Sequence, residues 1–230
     1  MALEVNDLLK KLSSDEQVRG WKEKYEGHSF FSTDSKVITY NGILYNVSGS
    51  STDPDEVHGC IGCSWRELLE KEIPGTEDEY CYVENSKATD DSSHFKTGPD
   101  YVVGGHMTTI KDGHVEVGGE TYLMPLCKWD NSTSRNEEPF QVTNKRILVL
   151  EGYMLPEPYV TFAARLPAIG GNDFGLVYLD EEMGIWRHKD INSKQAQSLS
   201  SANKDDPDKY ILFEKSKNKG EECKLQDACM

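Results

Sequence analysis

Residues 104–132 read GGHMTTIKDGHVEVGGETYLMPLCKWDNS, and the fold turns on what this stretch forms. "YVVGGHMTTI" from Tyr101 and "TYLMPLC" from Thr121 are apolar, strand-like runs. "HVEV" at 114–117 reads as a short strand between them, with Gly118-Gly119 as the turn into the last one. Asp130 stands where it can cap a following helix. The stretch therefore predicts strands closing on a helix start. That arrangement brings His106, on the first strand, beside Asn131 at the helix start. A neutral imidazole so placed can take a proton from water while a divalent cation stabilises developing phosphate charge. The helix N-terminus would favour the anion further.

Upstream lies "CIGCSWRELLEKEIPG" at 60–75. Cys60-Ile-Gly-Cys63 has the spacing of a zinc knuckle. Two more ligands are needed, and Cys81 and Cys127 are the first candidates, with His58, His94 or His106 as alternatives. The competing reading makes Cys81 and Cys127 small buried apolar residues and leaves Cys60 and Cys63 as free thiols. A thiol–disulfide role for Cys60 and Cys63 would require a thioredoxin-like βαβ context, and none is visible. The same segment continues as a short helix with Trp65, Leu68 and Leu69 on its apolar face, ended by Pro74-Gly75.

The pattern "GGHMTTIKDG…TYLMPLCKWDNS" resembles the HNH, or ββα-metal finger, endonuclease motif, over roughly residues 58–150. His106 matches the general-base histidine, and Leu123, Leu126, Cys127 and Asn131 match the second half. The flanking "GCIGCSW" and "FQV…ILVL" resemble small bacterial HNH-like proteins. The resemblance implies a divalent cation held by Asn131 and Asp130 if the site is active. It also implies a structural zinc at Cys60, Cys63, Cys81 and Cys127. Three positions depart from the family. The acidic metal ligand before the histidine is Gly105, which offers no oxygen to a hard cation. The asparagine that orients the histidine is Tyr122. The second cysteine of the terminal C-x-x-C is Asp130, which can rebuild a metal site from another direction.

Around this core the chain reads as α+β. Residues 2–26 predict helix, either broken near 13 by the capping-box pattern Ser13-x-x-Glu16 or running as one continuous helix. "KVITYNGILYNV" at 36–47 predicts a hairpin turning at Asn41-Gly42. A short strand is expected at Tyr80–Val83. After residue 140, "RILVLEGYM", "PYVTFAARLP", "GLVYLDEEMGIWRH" and "KYILFE" read as strands. Residues 189–208 read as a loop or a short exposed helix. The expected organisation is an N-terminal helix, hairpin and HNH-like core over 1–150. A strand-rich extension follows over 151–214, packed on the core, and then a mobile tail over 215–230.

Among 230 residues, 40 are acidic and 25 basic, for a net charge of −15. Such a surface repels phosphate backbones, so nucleic acid is not the expected partner. A basic protein suits it, as does simple solubility. The first residues lack an apolar core, and no run approaches the roughly 18 residues of a membrane span. A cytoplasmic protein is expected. These features favour a binding or scaffold protein on a degenerate, zinc-binding HNH-like core. The alternative is a divalent-metal-dependent endonuclease with His106 as general base.

Overall fold

The computed structural model of the chain describes residues 7–8, 11–50, 64–89, 93–98, 100–153, 158–202 and 207–226. It confirms the α+β class, with four helices and nine strands in two sheets among the described residues. The chain forms two compact units, one of residues 34–54 and 63–157, the other of 1–33, 55–62 and 158–230. The division thus falls elsewhere than at 150, and the first 33 residues group with the last 73.

The first unit is a closed four-stranded barrel of β2 (Asp34–Asn46), β3 (Val102–Thr108), β4 (Gly119–Cys127) and β5 (Phe140–Tyr153). Leu44, Met107, Met124, Leu126, Phe140, Val142 and Ile147 pack together in its core, with Tyr82 and Val83 against them. The hairpin expected at Asn41-Gly42 is absent. β2 runs straight through it, pairing from Asp34↔Glu151 to Leu44↔Phe140. Asn41-Gly42 instead makes a bulge, with the register shifting between Tyr40 and Gly42, whose φ is 154°. The long partner strand supplies a full ladder of hydrogen bonds, which outweighs a local turn preference.

β3 and β4 form the expected antiparallel pair, from Val102↔Cys127 to Met107↔Tyr122. "HVEV" is a loop, and Gly118 turns the chain with a φ of 78°. The helix expected after Asp130 is replaced by a 3-10 turn at Thr133–Arg135. Its cap position is Ser132, and the Asp130 side chain points elsewhere, so nothing nucleates a longer helix there. The helix that packs on this hairpin precedes it. Helix α2 (Trp65–Glu72) carries a capping box of Ser64 and Glu67 and buries Trp65, Leu68 and Leu69, as the sequence predicts.

Gly104 and Gly105 are explained by packing. A Cβ on Gly104 would lie 2.6 Å from the backbone carbon of Trp65, so α2 rests directly on the strand. A Cβ on Gly105 would lie 2.6 Å from Leu126 Cδ2. No acidic side chain fits at Gly105 without displacing the core. Residues 79–83 are extended but form no strand; Tyr82 N–H donates to Pro125 O at 3.0 Å and Glu84 N–H to Gln141 O at 2.9 Å.

The second unit is a five-stranded sheet in the order β1 (Phe30–Phe31), β9 (Glu222–Gln226), β8 (Tyr210–Glu214), β6 (Phe174–Asp180), β7 (Ile185–Ile191). Helix α1 (Glu16–Lys24) starts at Asp15, whose side chain accepts from Gln17 N–H. Ser13 does not cap it; its backbone and hydroxyl bind Glu181. "PYVTFAARLP" forms helix α3 (Tyr159–Ala164) and not a strand. Val160 through Ala164 are all buried, so this apolar run has no alternation to mark it as helix or strand. Residues 189–208 hold helix α4 (Ser193–Ala202), whose Ala196 and Leu199 pack with Leu176, Tyr210 and Leu212. The expected mobile tail contains β9, which pairs with both β8 and β1 and buries Cys223. No helix among the described residues is long and apolar enough to cross a membrane.

Candidate metal centre

Cys127 is the last residue of β4, and Asp130 follows three residues later in a turn. That turn folds back on the sulfur. Asp130 N–H reaches Cys127 Sγ at 3.3 Å, and Asn131 N–H donates to Cys127 O at 2.9 Å. Asn46 Nδ2, on β2, holds the Asp130 carbonyl at 2.9 Å. The other half comes from the irregular segment before β3. Its extended part is fixed to the barrel by Tyr82 and Val83, which puts Cys81 over the end of β4. A 3-10 turn at Ser93–Phe95 adds His94.

Cys81, His94, Cys127 and Asp130 converge so that their donor atoms all lie within 4.8 Å of one another. Asp130 Oδ2 is the hub. It lies 3.0 Å from Cys127 Sγ, 3.4 Å from Cys81 Sγ and 3.1 Å from His94 Nδ1. Cys127 Sγ and His94 Nδ1 are 3.8 Å apart. Ser86 Oγ lies 2.9 Å from both Asp130 oxygens. Cys127 and Asp130 are fully buried. The two thiols are close enough to share a proton. A hydrogen bond from Cys81 draws Cys127 down to about 7, although burial and Asp130 oppose it. Burial, reinforced by Cys127, pushes the Cys81 thiol well up.

The donor set could hold a metal ion, and a tetrahedral zinc gives a yardstick for its spacing. Zinc bonds of about 2.3 Å to sulfur and about 2.0 Å to nitrogen or oxygen give donor–donor edges of roughly 3.3–3.8 Å. Two of the observed separations, 3.4 and 3.8 Å, fall in that range, and two, 3.0 and 3.1 Å, lie below it. A carboxylate that is wholly out of water also calls for a compensating charge, which a divalent cation supplies.

The structure thus brings together Cys81, Cys127 and Asp130 from the expected ligands. His94, considered only as an alternative in the sequence, is the fourth member. Cys60 and Cys63 lie outside the described residues. Asp130, read as a helix cap or a catalytic-metal ligand, joins the cluster in the place of the second knuckle cysteine. His94 has no local signature, being one histidine in a polar loop. The Cys127-x-x-Asp130 spacing was the legible hint of where the fourth donor would have to come. Asn131 is exposed beside the cluster.

His106 is not part of it. It pairs with Leu123, four residues along β3 from the Val102↔Cys127 pair, about 13 Å along the strand. Its ring meets Trp65 edge-on at 4.5 Å and Tyr153 at 4.9 Å. It is 2% exposed, and Nε2 has no hydrogen-bond partner among the described residues. Burial alone lowers its pKa to about 3.

No protein-family model, curated protein or solved structure matches the chain.

Proposed function

We propose that the chain is a binding or scaffold protein stabilised by a structural zinc ion, on a degenerate HNH-like frame without nuclease activity. The observation that carries this reading is the donor set of Cys81, His94, Cys127 and Asp130, of which Cys127 and Asp130 are buried and Cys81 and His94 half-buried. Four protein side chains bring their donor atoms within 4.8 Å of one another, and four protein ligands to one zinc are the arrangement of a structural site. The frame keeps the HNH order of a histidine on the first strand and a cysteine ending the second. The histidine, however, is sealed between Trp65 and Tyr153, where it reaches neither solvent water nor the cluster. A general base must lie within hydrogen-bond reach of the proton it takes.

The net charge of −15 supports a basic protein as partner and disfavours nucleic acid. Thiol ligands at Cys81 and Cys127 suit a reducing, cytoplasmic setting.

The test is plasmid cleavage by the zinc-loaded protein with magnesium, manganese or nickel added. The expected result is intact plasmid throughout. Cleavage that requires a divalent cation and disappears in His106→Ala would overturn the reading and restore the nuclease.

A further inference from the structure

The carboxylate of Asp130 is held by more than the donors around Oδ2. Oδ2 faces Cys81, Cys127 and His94, at 3.4, 3.0 and 3.1 Å. Ser86 Oγ lies 2.9 Å from Oδ1 and 2.9 Å from Oδ2, so its hydroxyl spans the carboxylate edge. The Ser86 oxygen itself accepts the Ala88 N–H at 3.2 Å. With its acceptor side engaged by the backbone, the hydroxyl has its one proton to direct at Asp130. The hydroxyl holds the carboxylate edge, and the Asp130 main chain is pinned by Asn46 Nδ2 on its carbonyl.

We propose that Ser86 is a positioning residue that restricts Asp130 to one-oxygen coordination of the metal and so keeps the site four-coordinate. This rests on the metal reading above. A cation among Cys81, Cys127 and His94 takes Oδ2, and the Ser86 proton then belongs to Oδ1. Without the hydroxyl, both carboxylate oxygens are free to turn toward the ion, which raises the coordination number to five. Hydrogen bonds from outside the ligand shell orient ligating carboxylates in this way, and their loss weakens metal affinity by about 10- to 100-fold.

The experiment uses cobalt(II) as a visible stand-in for zinc in the full chain, with Ser86→Ala and Ser86→Thr beside the wild type. Four-coordinate cobalt absorbs strongly in the visible, and five-coordinate cobalt more weakly. The wild type is expected to give the strong spectrum. Ser86→Ala should lose intensity per bound ion and bind zinc at least about 10-fold more weakly in chelator competition. Ser86→Thr, which keeps the hydroxyl, should retain the wild-type spectrum. A Ser86→Ala protein with wild-type spectrum and affinity overturns the proposal, and so does a Ser86→Thr protein that behaves like Ser86→Ala. A wild type that binds neither cobalt nor zinc overturns the metal reading itself, which separates the two failures.

Discussion

The two ends of the β3–β4 hairpin treat buried polar groups in opposite ways. At the Cys127 end, Asp130 is fully buried yet surrounded by donors from Cys81, Ser86, His94 and Cys127. At the His106 end, a histidine equally out of water is enclosed by Trp65 and Tyr153, with Nε2 unpartnered among the described residues. The first end is built to hold charge, and the second to exclude it. One hairpin therefore separates a place that could hold a cation from the histidine that the HNH resemblance singles out.

The largest expected effect comes from removing the cation. On the proposed zinc reading, Cys127→Ser, or chelation, should lower Tm by about 10 °C, because a structural zinc contributes several kcal/mol. Hydrogen exchange should show the loosening at residues 79–98, with β2 and β5 still protected. Loss of protection throughout the barrel would mean that the cluster anchors more than this segment.

Next comes the contact that closes the hairpin under α2. Gly104→Ala places a Cβ 2.6 Å from Trp65 backbone, which cannot move as a side-chain tip can. Overpacking of this kind costs about 1–3 kcal/mol. Urea unfolding measures it; an unchanged midpoint would show that α2 is not seated on the strand.

The His106 end predicts a pH effect of similar size. The folded pKa is lowered to about 3 from the ordinary 6.5, so the unfolded chain binds the proton more readily between those values. The contribution is fully present above pH 6.5 and is lost as pH falls toward 3, about 2 kcal/mol of it by pH 5. His106→Phe should flatten stability between pH 6.5 and 5 relative to the wild type. Equal slopes in both proteins would show that His106 is hydrated.

The smallest effect tests α2 itself. Ser64→Ala removes the side-chain acceptor of the capping box, for a loss of about 1 kcal/mol by urea denaturation.

The sequence exposes the parts of this account that are local. The apolar spacing of Trp65, Leu68 and Leu69 locates α2, and the runs at 101–110 and 121–127 locate β3 and β4. Cys81 and Cys127 are recognisable as ligands because thiols have a narrow range of roles. What stays hidden depends on distant partners. Asn41-Gly42 reads as a turn because nothing nearby announces that β5, a hundred residues on, will pair with both sides of it. Residues 159–164 carry no periodicity because every face is buried. The tail becomes a strand because β1 and β8 leave a place between them. His94 is the sharpest case. It sits among polar residues without a spacing rule, and only the tertiary fold carries it to Cys127.

The most direct test of the central claim is the zinc content of the purified chain by elemental analysis, for the wild type, His94→Ala and Cys60→Ser. The account predicts about one zinc per chain in the wild type and in Cys60→Ser, and little in His94→Ala. Wild type without zinc, or zinc kept in His94→Ala and lost in Cys60→Ser, would contradict it.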